Sequence, residues 1–231
     1  MIESKGTYLG VEVSAGKTPY LMARLDKDGL LITLEQGMLE DVLRAVSDGV
    51  TAIAINGPAV LPQNADLNRS AEVQLRQMGY HPRITRFLNP EKQPARVRNS
   101  LLLFQALARE AKLKVGEDLL ETQAELAFAA YTAGVLLSPA SYEGRIQRQL
   151  ALIRQGIRLR DPMSFYEEIT RWRLLKGDLS DEMLFSIPAL AALATACIAR
   201  ASNSDPDSLL RAGKKQDGWV WIPVQANAGA G

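Results

Sequence analysis

Three polar residues interrupt apolar runs in this chain. Glu12 lies inside Tyr8–Ser14 (YLGVEVS), Asn56 closes the apolar part of Thr51–Pro58 (TAIAINGP), and Glu121 ends Asp118–Glu121 (DLLE). A carboxylate or amide within a buried strand costs free energy unless it is paired. Such a residue therefore has either a partner or a use, and for Glu12 the use in question is catalysis. In a strand, Gly10, Glu12 and Ser14 share one face and Val11 and Val13 the other. Gly10 leaves room beside the carboxylate for a backbone or ligand. Asn56 sits where α/β sheets bind ligands, beyond the carboxyl end of a parallel strand. Plainer readings stand beside these. Glu12 suits an exposed strand face, Asn56-Gly57 a turn, and Glu121 a surface position at a helix start.

A second set is basic. Arg69, Glu72 and Arg76 are spaced for one helix face, where they could pair with one another. Arg83, Arg86, Arg96 and Arg98 follow in a Pro-containing stretch, and Arg145, Arg148 and Arg154 fall on a later helix. Each could contact phosphate, and a solvated helix face is the commoner explanation. Gly10–Thr18 (GVEVSAGKT) is no phosphate-binding P-loop. It has five residues between its glycines rather than four, and it leads into Pro19 and a strand. Single Cys197 and single His81 exclude an intrachain disulfide and a zinc site built on several cysteines or histidines. With 27 Lys+Arg, 26 Asp+Glu and a net charge of +1, overall charge offers no argument for nucleic acid or membrane. Met1–Thr7 is polar, so no signal peptide is expected there. Ile187–Ile198 is too short to span a bilayer. The expectation is a cytoplasmic protein without a membrane partner.

These residues need a scaffold. Tyr8–Ser14, Thr18–Leu25 and Leu30–Leu34 read as strands joined by short turns, which forces an antiparallel meander. Met38, Leu39, Val42, Leu43 and Val46 then recur at helical spacing up to Gly49. Val50–Ile55 suits a buried parallel strand. Helical periodicity follows over Asp66–Met78, Ala95–Lys112, Ser141–Gln155, Pro162–Lys176 and Asp181–Ala201. Asp118–Glu121 is a fifth strand and Gly218–Val224 a sixth. The result is an α/β mixed sheet in one domain over residues 1–224, with a helical insertion around 63–113 and a flexible tail over 225–231.

The order of these features resembles a family of predicted nucleases, the domain of unknown function 429, with a ribonuclease H-like fold. The resemblance rests on Gly10-Val11-Glu12, Ile55-Asn56-Gly57-Pro58 with Leu61-Pro62, and Arg69, Glu72 and Arg76. It continues through Leu120-Glu121, Gly144-Arg145 with Arg148, Pro188-Ala189-Leu190 through Ala196, and Gly218-Trp219 with Pro223. It implies a three-strand antiparallel meander plus parallel strands, with helices on both faces. It implies metal-assisted phosphodiester hydrolysis, with Mg²⁺ or Mn²⁺ held by Glu12 and Glu121 beside Asn56. Arg69, Glu72, Arg76, Arg145 and Arg148 would face the substrate, a nucleic acid or nucleotide. The chain departs from the family pattern at three acids: Glu12 replaces Asp, Asn56 is neutral, and Pro188 stands at the late-helix position. The expectation is a degenerate site with weak or no nuclease activity. The alternatives are a non-catalytic module binding nucleic acid, nucleotide or protein through the same cleft, or a small-molecule enzyme.

Overall fold

The computed structural model describes residues 6–63, 68–86, 92–132, 135–163, 176 and 184–225. Seven strands form one mixed sheet in the order β3-β2-β1-β4-β5-β7-β6. They are β1 (Thr7–Val13), β2 (Tyr20–Asp26), β3 (Leu31–Gly37), β4 (Val50–Asn56), β5 (Leu119–Thr122), β6 (Leu209–Lys214) and β7 (Gly218–Pro223). The helices are α1 (Leu39–Ser47), α2 (Ser70–Gln77), α3 (Ala95–Glu110), α4 (Ala124–Tyr131), α5 (Tyr142–Arg154) and α6 (Ile187–Ser204).

The meander forms as its turns dictate. The Asp26 carboxylate accepts the amides of Asp28 and Leu30 at 2.9 and 2.8 Å, and Gly29 takes the positive φ of 78° that closes the turn. β1 pairs antiparallel with β2 and parallel with β4, so it is an interior strand and Glu12 is not on a sheet edge. α1 makes the crossover from β3 to β4. β5 is parallel to β4, β7 parallel to β5, and β6 closes the far edge antiparallel to β7.

Strand alternation sorts the core into two layers. Tyr8, Ala52, Ala54 and Leu120 pack with α4, α5 and α6. Leu9, Val11, Val13, Ile53, Ile55 and Leu119 pack with α1 and α3. α6 lies directly on β1. A Cβ at Gly10 would stand 2.1 Å from the Ala196 nitrogen and 2.2 Å from the Ala192 oxygen. Glycine at 10 and alanines along α6 are what let helix and strand approach so closely. The Tyr8 hydroxyl donates to Asn203 Oδ1 at 2.8 Å near the other end of the helix. α6 thus runs antiparallel to β1, and its first turn, Ser186–Ala189, lies towards the carboxyl ends of β1 and β4.

Some expectations move. The strand over Leu209–Lys214 and the helix over Ala124–Tyr131 are additions, so Gly218–Pro223 is the seventh strand rather than the sixth. The helix expected from Asp66 begins at Ser70, leaving Arg69 as its N-cap. Most of the helix expected over Pro162–Lys176, the start of that over Asp181–Ala201 and the tail beyond residue 225 lie outside the described residues. No described helix is long and apolar enough to cross a membrane.

Candidate functional site

The carboxyl edge of β1 and β4 brings Glu12 and Asn56 together. They are register partners on adjacent parallel strands, so their side chains leave the same face. Asn56 Nδ2 donates to Glu12 Oε2, and Asn56 Oδ1 accepts the Ala124 amide at 3.2 Å. The second strand neighbour of Asn56 is Thr122, and Glu121 is the partner of Ile55.

Glu121 therefore points to the opposite face, one residue out of phase with Glu12 and Asn56. Glu12 and Glu121, expected to share one cation, leave opposite faces of the sheet. Register parity sends the two carboxylates to different sides of the sheet. Each then meets its own arginine.

Glu121 meets Arg69. Nη1 donates to Oε1 at 2.5 Å and Nη2 to Oε2 at 2.8 Å, with the two side chains 0% and 2% exposed. The Ala59 amide adds a 2.8 Å bond to Oε2. Arg69 Nε donates to the Asp217 carbonyl at 3.0 Å. The Asp217 carboxylate in turn caps α2 from outside the helix, accepting the Ser70 amide at 2.5 Å and its hydroxyl at 2.7 Å. Burial pushes the Asp217 carboxyl up, but the Ser70 bonds and the Arg69 charge outweigh it and hold it below the ordinary range. This group ties the start of α2 to β5 and the β6–β7 turn.

The remaining basic candidates are accounted for one by one. Glu72 does not pair with Arg69. It is fully buried, its Oε1 accepts the Thr85 amide at 2.8 Å, and its Oε2 has no hydrogen-bond partner. Burial raises its pKa against the lowering effect of the Thr85 bond. Arg76 is exposed on α2. Arg145 donates to the carbonyls of Phe185 and Leu184, both at 3.2 Å. Arg148 is buried, grips the Glu125 carboxylate at 2.6 and 3.3 Å, and donates to the carbonyls of Leu137 and Gly144. Those bonds tie Arg145 and Arg148 into the packing around α5. None of these five meets Glu12 or Asn56.

Arg96 does. From the first turn of α3 it reaches over the carboxyl edge. Its Nε donates to the Val13 carbonyl at 2.8 Å and its Nη2 to the Asn56 carbonyl at 2.6 Å. Nη2 also stands 3.5 Å from Glu12 Oε1. Arg83 is exposed, and its charge acts on both Glu12 and Arg96. Its backbone is pinned by Gln123, whose Oε1 accepts the Arg83 amide at 2.6 Å and whose Nε2 donates to the Arg83 carbonyl at 3.1 Å. Burial raises the Glu12 carboxyl above the usual range, more than Arg96, the Asn56 amide and Arg83 lower it. Burial also lowers the Arg96 pKa, and Arg83 adds to that against the attraction of Glu12.

This donor set does not suit a divalent cation. Oxygen ligands must converge and carry negative charge. Here one Glu12 oxygen accepts an amide proton, the other faces a guanidinium, and the Asn56 oxygen is occupied by the Ala124 amide. Among the described residues, no three His, Cys, Asp or Glu side chains cluster as a cation site. The chemistry the edge does offer is anion recognition, through the Arg96 guanidinium held over backbone carbonyls.

In the sequence Arg83 and Arg96 stand out only as members of a basic stretch. A signal for Arg96 existed, since it is a cation in the first turn of a helix with no acidic residue there. That placement opposes the helix dipole and needs a tertiary reason.

Fold and site together define an α/β protein with a seven-stranded mixed sheet and an arginine-clamped carboxylate at its carboxyl edge. The chain matches no known protein family, and no characterised protein or solved structure matches it either.

Proposed function

We propose that this chain is a ribonuclease H-like domain that binds a phosphate-bearing ligand, a nucleic acid or a nucleotide, without cleaving it. The β3-β2-β1-β4-β5 order supports the fold part of this reading, with an antiparallel meander joined to parallel strands and helices on both faces. So does the position of α6, whose first turn approaches the edge that carries Glu12 and Asn56.

One observation carries the non-catalytic part. The only carboxylate at this edge among the described residues is already neutralised by the chain's own amide and guanidinium. Metal-assisted hydrolysis needs carboxylates converging on a cation to generate the attacking water. Glu121, the other candidate ligand, is spent on Arg69. The nuclease reading draws support from the resemblance and from Glu12 alone.

The test is incubation of the purified protein with single- and double-stranded DNA and RNA in Mg²⁺ or Mn²⁺, beside Glu12→Ala. The expected result is no cleavage above the variant's background and no heat on titrating Mg²⁺. Cleavage that Glu12→Ala abolishes would overturn the reading.

A further inference from the structure

The charges at the carboxyl edge do not balance. Arg96 is partly buried, with its side chain 21% exposed, and faces a single carboxylate, that of Glu12. Arg83 stands beside the same edge, its backbone held by Gln123, the residue next to Ala124, whose amide binds Asn56. Among the described residues the edge thus holds two cations and one anion.

The hydrogen bonds are unbalanced in the same direction. Arg96 spends Nε and Nη2 on the carbonyls of Val13 and Asn56, while its Nη1 donates to no described residue. The Arg83 guanidinium likewise has no hydrogen bond or ion pair to a described residue. The reciprocal bonds with Gln123 fix the Arg83 backbone beside the end of β5. Two more arginines, Arg86 and Arg98, are joined to each other through Gln93. The nearly buried Gln93 donates to the Arg86 carbonyl at 3.2 Å, and its own carbonyl accepts from Arg98 Nη1. Among described residues 83–86 and 92–98 there is no acidic side chain to offset them. Arg96 and Arg98 also lie in the first turn of α3, where the helix contributes further positive potential.

We infer that Arg83 and the free Nη1 of Arg96 form a two-guanidinium clamp for one phosphate group. The inference rests on the reading of this edge as a phosphate-binding site and names the group that does the binding. The ligand's phosphate supplies the missing negative charge and accepts the unused donors, as guanidinium pairs do for phosphate oxygens. Glu12 serves by contrast as a positioning residue. It holds Arg96 in place through Nη2 and turns Nη1 outward. Arg83 is the residue to change because it is exposed and no fold contact depends on its side chain.

The experiment titrates the protein with inorganic phosphate, with a mononucleotide and with a short single-stranded oligonucleotide, followed by calorimetry and by NMR of the arginine Nε–H signals. Saturable phosphate binding is expected, shifting the Arg96 Nε–H resonance. Arg83→Ala should weaken it about tenfold, the loss of one charge-assisted contact, and Arg83→Lys should recover part of that. Tighter binding of the mononucleotide than of the oligonucleotide assigns a nucleotide as the source of the phosphate, and the reverse order assigns a nucleic acid. Unaltered binding in Arg83→Ala, or no phosphate binding by the parent protein, overturns the clamp. Cleavage abolished by Glu12→Ala would overturn the non-catalytic reading instead, and loss of the Arg83 effect alone would leave that reading standing.

Discussion

Arg69–Glu121 and Arg96–Glu12 are the same pair of residue types at the carboxyl ends of the two strands that flank β4, yet they do different things. The first is bidentate, at 2.5 and 2.8 Å, and closed to solvent on both sides. The second is a single 3.5 Å approach with both partners partly exposed, and one guanidinium nitrogen is left over. A buried, saturated pair holds elements together and has nothing left to offer a ligand. A loose pair at an edge keeps unspent donors. The residue types alone would rank Glu121 and Glu12 as equal candidates. Saturation of their partners separates architecture from site.

The largest effect should come from breaking the closed pair. Removing one member leaves an unpaired charge in a dry environment, which costs about 3–5 kcal/mol. Glu121→Ala and Arg69→Ala should each lower the denaturation midpoint by that equivalent. Arg69→Met with Glu121→Leu should restore most of it, because an apolar pair of similar volume has no charge to desolvate. If urea denaturation finds Glu121→Ala no more damaging than Glu12→Ala, the contrast between the two pairs is lost.

Next in size is Asp217, which caps α2 from the β6–β7 turn. Asp217→Asn keeps one acceptor oxygen for Ser70 but loses the second and the attraction to Arg69. The cost should fall at the low end of the about 0.5–2 kcal/mol typical of a fully lost helix cap. The pH dependence has a definite sign. The folded pKa of Asp217 lies below its ordinary value. Its contribution is therefore fully present above the ordinary aspartate range and fades as the pH falls through the folded value. Wild type and Asp217→Asn should differ at neutral pH and converge in acid, as thermal melts across pH would record.

Much of the fold is legible in the sequence. The DKDG turn, the apolar runs around Leu9 and Ile53 and the helical spacing after Met38 each dictate a local structure that packing preserves. Glu12 and Asn56 are recognisable because each breaks an apolar run at a strand's carboxyl end. The face taken by Glu121 is less accessible. It depends on whether residue 121 or 122 of β5 stands beside Asn56, and a one-residue difference in register reverses the side chain. The partners of the arginines are hidden for another reason. Spacings of three and four suggest pairing of Arg69 with Glu72 along a helix, but α2 starts after Arg69, and its true partner lies 52 residues away. Local spacing reports neighbours on one element, whereas these bonds join elements. The added strand at Leu209–Lys214 is harder still, because Gly213 weakens its strand character and its pairing with β7 supplies what local propensity lacks.

The smallest expected effect separates the two pairs most sharply. Glu12→Gln removes a charge that burial disfavours and Arg96 favours, so the terms oppose each other. A partly exposed pair at 3.5 Å contributes about 1 kcal/mol or less. The net change at neutral pH should be of that size, and glutamine keeps an oxygen for the Asn56 amide. The pH dependence should run opposite to that of Asp217. The folded pKa of Glu12 is raised, chiefly by burial. Its favourable contribution is present below the ordinary glutamate range and lost as the pH rises through the folded value. Wild type should match Glu12→Gln in acid and fall behind it towards neutrality. Paired denaturation curves across that range check the sign. A wild type that gains on the variant as the pH rises would mean that Arg96 stabilises the carboxylate more than burial penalises it. The edge would then be a second structural ion pair, no different in kind from Arg69–Glu121.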